Sequence, residues 1–307
     1  MIKRTLFFGN AAYLSTKNEQ LVVSYPDKEQ RPISVPIEDI GIVVVEHLQI
    51  TFTNGLIEKL LANNVAIITC NQYHLPNGLL LPLTGHSEQT ERFGVQIAAS
   101  LPLKKNLWQQ TISAKITNQG SLLREKGLPM RKMDLWAKEV SSGDAHNHES
   151  QAAVFYWESL SPLLTGAKRN FRRGQHSESP NNLLNYGYAI LRGITARAIV
   201  SSGMLPSLGI FHKNKYNAFC LADDIMEPYR PFVDAIVCRI VEKDSQVTEL
   251  TLDVKKQLLS IAGIDVMMDG KKSPLMVAMS RTTNSLYQCF EGNTRKLLYP
   301  KYEYGHL

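Results

Sequence analysis

The hydrophobic pattern of the chain changes once, near residue 88, and this change limits the folds that are open to it. Before that point, apolar residues alternate with polar ones or form short runs, separated by turn-forming pairs such as Gly9-Asn10 and Pro26-Asp27. Such patterns predict β-strands, here at residues 4–8, 20–24, 40–45, 65–69 and 78–83. Residues 53–62 have helical spacing instead, so this part is predicted to be a small β domain with an inserted helix.

After residue 88, apolar residues recur every three or four positions, which is the spacing of one face of an α-helix. Helices are predicted at residues 89–100, 106–119, 130–139, 149–160, 181–202, 218–243 and 254–260. Two polar segments, 141–148 and 172–180, contain Gly or Pro and are predicted as exposed loops. The sequence therefore predicts an α+β protein with a β-rich domain at residues 1–87 and a larger all-α domain at residues 88–307.

The composition is that of a globular protein, with 44% hydrophobic and 20% charged side chains. No apolar stretch approaches the ~20 residues of a membrane-spanning helix, and the apolar run near the start ends too soon for a signal peptide. The four cysteines form no CxxC pair, which argues against a structural zinc site and against a disulfide framework. We therefore expect a cytoplasmic protein with no membrane partner.

The basic residues exceed the acidic ones by six, and several of them are clustered. A basic surface beside carboxylates suits a phosphodiester substrate, although solvated helix faces that bind nothing explain the pattern equally well. One cluster surrounds Phe171 and the other flanks an acidic segment. Together the two clusters comprise Lys168, Arg169, Arg172, Arg173, Lys213, Lys215 and Arg230.

Glu149 opens a predicted helix after the loop at residues 141–148. A carboxylate at a helix N-terminus is favoured by the helix dipole and needs no functional explanation. The nearby His146 and His148 have the spacing of a His-x-His metal pair, although histidines in surface loops are more often solvated than ligating. These residues therefore leave a structural and a functional interpretation open.

Two further segments place ionisable side chains where an amphipathic helix does not require them. His212 follows a Gly-containing apolar run, as though a short loop presents its imidazole. Asp224 and Glu227 are three residues apart, so on a helix they would share one face and repel each other. A divalent cation would remove that repulsion, but a solvated acidic helix start explains it too. Pro228 then predicts a kink after Glu227.

The sequence resembles the CRISPR-associated protein one family, in the compact form that accompanies single-effector systems, over nearly its whole length. No single matching segment is specific, but their order and spacing are, including 63 residues from Glu149 to His212 and 15 from there to Glu227. The segments that carry the resemblance are Leu107-Trp108-Gln109-Gln110, Lys115-Ile116-Thr117-Asn118-Gln119, residues 149–157, residues 182–188, Gly209-Ile210-Phe211-His212 and residues 221–231.

The resemblance implies an N-terminal β-sandwich-like dimerisation domain and a C-terminal helical catalytic domain. It implies that Glu149, His212 and Glu227 bind Mn²⁺ or Mg²⁺ and that Asp224 supports them. The implied reaction is a transesterification in which the 3′-hydroxyl of a captured DNA fragment attacks a CRISPR repeat, so that a new spacer is acquired for antiviral defence. The implied assembly is two homodimers bridged by CRISPR-associated protein two.

Two other functions remain compatible with the same residues. A stand-alone structure-specific nuclease would use the same metal site without joining DNA. A non-catalytic scaffold would bind nucleic acid through its basic residues while the acidic ones were structural. The set formed by Glu149, His212 and Glu227 argues against the scaffold, which has no need of it.

Overall fold

A computed structural model describes residues 3–27, 29–166, 173–174 and 178–303. Up to Leu80 the described chain consists of strands, one α-helix and a short 3₁₀ turn at Ile37–Asp39, and the sequence pattern predicts this β-rich character. The strands are β1 (Arg4–Phe8), β2 (Ala12–Lys17), β3 (Gln20–Ser24), β4 (Ile33–Pro36), β5 (Ile40–Val45), β6 (Ile50–Phe52), β7 (Ala66–Cys70) and β8 (Pro76–Leu80), and the helix α1 (Asn54–Ala62) lies between β6 and β7.

The strands form two four-stranded sheets. One has the order β1-β5-β7-β8, in which β1, β5 and β7 are parallel and β8 is antiparallel to β7. The other has the order β4-β3-β2-β6, with β6 parallel to β2. A small core contains Leu14 and Leu21 from the second sheet, Val43 and Ile67 from the first, and Leu56 from α1. The predicted β-sandwich-like domain with an inserted helix is confirmed.

The first sheet is also buried on its other face, against the helical part of the chain. Ile42, Val44 and Ile68 belong to the large core that the helices share, which explains why β5 is an almost continuous apolar run. A Cβ atom at Gly193 would lie 2.6 Å from Cδ1 of Ile68, so glycine allows the sixth helix to approach β7 closely. The two parts are therefore packed together through a common core.

The rest of the described chain is mainly helical, and none of its helices combines the length and apolarity needed to cross a bilayer. The change of pattern at residue 88 falls between β8 and the second helix, and the domain boundary placed there stays a prediction. The helices are α2 (Gln89–Ala98), α3 (Leu101–Glu125), α4 (Arg131–Glu139), α5 (His148–Thr165), α6 (Asn181–Ser201), α7 (Cys220–Met226), α8 (Arg230–Lys243), α9 (Leu252–Leu259) and α10 (Leu275–Glu291).

The helical part also contains a small hairpin, which the prediction of an all-α domain did not include. Strands β9 (Asp265–Met268) and β10 (Lys271–Pro274) are antiparallel. Asp269 and Gly270 join them with positive φ angles of 53° and 71°. An Asp-Gly pair in this conformation is typical of a two-residue hairpin turn, so the sequence carried a signal for it.

Candidate metal and nucleic-acid site

Glu149 lies in the first turn of α5, directly after the loop that the sequence predicted. The carboxylate of Asp144 fixes the start of this helix, because its two oxygens accept hydrogen bonds of 2.9 Å from the backbone amides of His148 and Glu149. Helix amides at an N-terminus have no partner within the helix, so this contact stabilises the turn. The Glu149 side chain, 25% exposed, is thereby held at a defined position.

His212 is held in the connection between α6 and α7 by two neighbours. The ring of Phe211 stacks on the buried ring of Trp108, with centroids 4.2 Å apart and planes 1° apart. Asp224 accepts hydrogen bonds from the backbone amides of Phe211 at 2.9 Å and His212 at 3.3 Å, and its Oδ1 lies 2.5 Å from Nδ1 of His212. Because Nδ1 is engaged, Nε2 is the ring nitrogen that can bind another ligand.

Glu227 lies where the predicted helix over residues 218–243 is interrupted. Helix α7 ends at Met226, a 3₁₀ turn covers Glu227–Tyr229, and α8 begins at Arg230. Pro228 and Pro231 cannot donate the amides of a continuous helix, which accounts for the interruption. The Glu227 side chain is only 7% exposed.

Lys115, in the middle of α3, joins the two glutamates. Its Nζ lies 2.7 Å from Oε1 of Glu149 and 2.6 Å from Oε2 of Glu227. Both contacts are therefore short ion pairs between one ammonium and two carboxylates. On the other side of this carboxylate, Nε of Arg230 lies 2.9 Å from Oε1.

These contacts set the charge of the buried groups. Burial alone would raise the pKa of Glu227, but the Arg230 guanidinium and the Lys115 ammonium lower it to about 2. Burial alone would lower the pKa of Lys115, but the carboxylates of Glu227 and Glu149 raise it above its ordinary value. Both groups are therefore ionised at neutral pH, and the buried charge of each is compensated by the opposite charge of the other.

Asp224 and Glu227, which the sequence placed on one helix face as repelling charges, face different partners. Burial raises the pKa of Asp224, and the hydrogen bond from His212 opposes that shift. The pKa of His212 is raised mainly by its bond to Asp224, with further contributions from the charges on Glu227 and Glu149. The His212 ring also packs edge-on against Trp108, with centroids 5.7 Å apart, and Trp108 lies about two turns of α3 before Lys115.

A cavity of about 220 Å³ lies beside Glu227. Arg173 borders it and donates hydrogen bonds of 2.8 Å to Oδ1 of Asn181 and 2.7 Å to Oδ1 of Asn185. The guanidinium groups of Arg173 and Arg230 lie 5.1 Å and 4.6 Å from the centroid of the Tyr188 ring. The lining combines cations, two carboxylates and aromatic rings: Lys115, Gln119, Ala153, Trp157, Arg173, Tyr188, Glu227, Arg230 and Asp234.

The predicted DNA-contacting residues fall into three groups. Arg173 and Arg230 border the cavity, whereas Lys213 and Lys215 are exposed in the connection that follows His212. That connection also carries Tyr216, whose side chain is 84% exposed. Three predicted contacts lie outside the described residues: Lys168, Arg169 and Arg172.

The alternative metal pair, His146 and His148, has other contacts. Nδ1 of His146 lies 3.2 Å from Oγ of Ser141. The ring nitrogens of His148 lie 3.8 Å from carboxylate oxygens of Glu139 and Asp144. In the ranges that the structure describes, no three His, Cys, Asp or Glu side chains stand close enough together to hold a metal ion as they are arranged here.

The sequence interpretation did not include Lys115 or Asp144 among the site residues. A signal for Lys115 was present, because it occupies the buried face of α3 in register with Trp108, Ile112 and Gln119. A lysine in a stripe that faces the core is rarely buried without an acidic partner. Asp144 gave no comparable signal, since aspartate is common in loops.

Comparison with known proteins supports this architecture. The CRISPR-associated endonuclease Cas1 of Neisseria meningitidis is 33% identical over 287 residues, which cover 93% of this chain and 91% of that protein. A casposase bound to an integration product has the same fold, with a TM-score of 0.78, 19% identity and coverage of 97% of this chain and 92% of its own. A chain of a Cas6-RT-Cas1–Cas2 complex has a TM-score of 0.74 at 18% identity, with 96% of this chain matching 35% of that longer one.

Fold and sequence together place the chain among the CRISPR-associated endonucleases. The family described as CRISPR associated protein Cas1 matches residues 6–263. The chain belongs to the Cas1 family, and the resemblance identified from its sequence is confirmed.

Proposed function

We propose that this chain is a metal-dependent DNA integrase and endonuclease of CRISPR adaptation, which joins the 3′-hydroxyl ends of captured DNA fragments to a repeat by transesterification. One observation carries the proposal. Two glutamates from distant segments, Glu149 and Glu227, meet at a single positive charge, and the imidazole of His212 is held within reach of their charges.

We assign Glu149, His212 and Glu227 as ligands of Mn²⁺ or Mg²⁺. Two carboxylates and one imidazole form a donor set that suits these ions, and the imidazole favours Mn²⁺. Oε2 of the buried Glu227 already pairs with a cation, the Lys115 ammonium at 2.6 Å, and this supports the fit of a metal ion. When bound, such an ion stabilises negative charge on the phosphoryl oxygens and activates an attacking hydroxyl or water.

The residues around these ligands have defined tasks in this proposal. Asp224 holds the imidazole of His212 by its Nδ1 atom, and Asp144 holds the start of α5 under Glu149. The basic residues neutralise DNA phosphates and add affinity that depends on salt but not on sequence. The proposed phosphate contacts are Arg173, Lys213, Lys215 and Arg230 and, beyond the described ranges, Lys168, Arg169 and Arg172.

The proposed partners are DNA, a second copy of the chain and Cas2. A casposase of the same fold is bound to an integration product, and another chain of this fold belongs to a complex with Cas2. The N-terminal part exposes Tyr13, Ile33 and Leu48 by more than half, which suits a dimer contact. Because the four cysteines are free thiols, we assign the protein to the reducing cytoplasm.

The test is strand transfer of a labelled short duplex into a plasmid that carries the repeat, with the purified chain and its Cas2 partner. We expect joined product with Mn²⁺, none with EDTA, and at most about one hundredth of the wild-type product with Glu149→Gln or His212→Ala. Glu158→Gln is the matched control, because Glu158 is an exposed glutamate on the same helix, and it should leave the yield unchanged.

The products also distinguish the second candidate function, a stand-alone nuclease. Metal-dependent cleavage without any joined DNA, also lost in both variants, would replace the integrase by that nuclease. Joining that persists in Glu149→Gln and His212→Ala would show that the ligands are assigned wrongly.

A further inference from the structure

The ammonium of Lys115 takes up the position between the two carboxylates that are assigned to the metal. It lies 2.7 Å from Glu149 and 2.6 Å from Glu227, and its side chain is only 11% exposed. Among the described residues, its ion-pair partners are these two glutamates. Its contacts are therefore concentrated on the proposed ligand oxygens.

The local charge is balanced by this arrangement. Glu149 and Glu227 contribute two negative charges, and Lys115 and Arg230 contribute two positive ones. Two carboxylates held this close to each other without Lys115 would repel, and burial would add to the cost of their charge. A divalent ion brings two further positive charges into the same space.

We propose that Lys115 is a positioning residue that holds Glu149 and Glu227 in place when no metal is bound and competes with the divalent ion for the same oxygens. The inference rests on the proposed function, since it takes the two glutamates as metal ligands. It predicts opposite effects of removing the ammonium: the metal-free protein loses stability, while the metal binds more tightly. A lysine with a purely structural role would lower stability without tightening metal binding.

Lys126 provides a matched control on the C-terminal end of the same helix. Its ammonium is also mostly buried, at 10% exposure, and it pairs with Glu242 at 2.7 Å and with Glu125 at 3.8 Å. Neither of these glutamates is a proposed ligand. Replacing Lys126 therefore removes a similar ion pair without changing the charge at the site.

The experiment compares the wild type with Lys115→Met, Lys115→Gln, Lys115→Arg and Lys126→Met, all as full-length chains. Calorimetric titration with Mn²⁺ gives the affinity, and thermal melting in EDTA and in Mn²⁺ gives the stabilisation by the ion. We expect both neutral variants at position 115 to melt lower in EDTA, to bind Mn²⁺ about tenfold more tightly or better, and to gain more from Mn²⁺ than the wild type.

The controls separate charge from shape. Lys115→Arg keeps the positive charge and should bind Mn²⁺ no more tightly than the wild type, and Lys126→Met should lower melting without changing the affinity. Wild-type or weaker affinity in a folded Lys115→Met or Lys115→Gln protein would overturn the inference. The same titration with Glu149→Gln tests the metal site itself. If this variant no longer binds Mn²⁺, the proposed site stands even if Lys115 does not compete with the ion. If it binds Mn²⁺ as tightly as the wild type, both the proposed site and the role of Lys115 are wrong.

Discussion

The Nδ1 atom of His212 lies 2.5 Å from Oδ1 of Asp224, a carboxylate with no exposed surface. The same carboxylate accepts hydrogen bonds from the backbone amides of Phe211 and His212. It therefore fixes both the imidazole ring and the backbone segment to which the ring is attached. A carboxylate that holds one nitrogen of a histidine orients the other nitrogen and increases its basicity as a metal ligand. Asp224 is therefore a positioning residue for His212.

Asp224→Asn should weaken Mn²⁺ binding and reduce strand transfer by about ten- to hundredfold. The amide nitrogen of asparagine cannot accept the backbone hydrogen bonds that one carboxylate oxygen accepts now. The adjacent Asp223 is the control, because it bonds to Arg192 and Asn217 and not to His212. Asp223→Asn should leave the Mn²⁺ affinity near that of the wild type, and an equal loss in both variants would contradict a specific role for Asp224.

Replacing Lys213 and Lys215 together by alanine should weaken binding to duplexes of any sequence by a similar factor. If each lysine contacts one phosphate, the slope of log K against log salt should become less steep by about two. Fluorescence anisotropy over a series of KCl concentrations measures this slope. The exposed pair Lys271 and Lys272, on β10, is the control, and alanine there should leave the slope as it is.

The buried Asp234 should make stability depend on pH between about 4 and 6. Burial raises its pKa to about 6, although the hydroxyls of Tyr188 and Tyr156 donate hydrogen bonds to it. Because the folded state holds this proton more firmly than the unfolded one, the free energy of unfolding should fall as the pH rises from about 4 through 6, by roughly 3 kcal/mol.

Asp234→Asn cannot ionise and isolates this effect. Urea unfolding of both proteins between pH 4 and 8 should show the wild type losing stability relative to the variant over that interval and no further change above it. A difference that stays constant with pH would mean that the carboxyl titrates normally.

Gly187→Ala should destabilise the protein by about 1–3 kcal/mol, since overpacking a tight core contact costs that much. A Cβ atom there would overlap Cγ1 of Val233, where α6 crosses α8. Gly94, exposed in α2 with nothing within 4 Å of its missing Cβ, is the matched control. Gly94→Ala should stabilise the protein by about 0.5–1 kcal/mol in the same urea unfolding experiment, and similar effects at both sites would refute the packing argument.

The local pattern of apolar residues predicted the strands and helices in which apolar residues are regularly spaced. It failed where buried positions carry polar side chains. The strands β1, β3 and β5 have the predicted bounds. Helix α10 was not predicted, because Thr282, Thr283 and Ser285 interrupt its apolar spacing although all three are buried. The Thr282 hydroxyl bonds to Tyr229, the Thr283 hydroxyl to the Ala198 carbonyl, and the Ser285 hydroxyl accepts a hydrogen bond from the amide of Leu298, contacts that no local pattern contains.

The site was predictable only in part for a related reason. Asp224 and Glu227 are close in sequence, but their side chains separate toward His212 and Lys115. Local spacing identified the acidic pair and could not give these partners, which come from distant segments. The family resemblance supplied Glu149 and His212 as companions of Glu227, whereas the role of Lys115 became visible only when α3 was placed between them.

The side chain of Asn118, three residues after Lys115, has a consequence for synthesis of the protein. Its amide nitrogen donates hydrogen bonds to the carbonyls of Pro228 at 2.7 Å and Pro300 at 3.0 Å, and its oxygen accepts a hydrogen bond from the backbone amide of Tyr302 at 3.0 Å. Two of these partners lie 182 and 184 residues further along the chain. The ribosome must therefore have synthesised the chain as far as Tyr302 before this junction, about one turn of α3 beyond Lys115, can close.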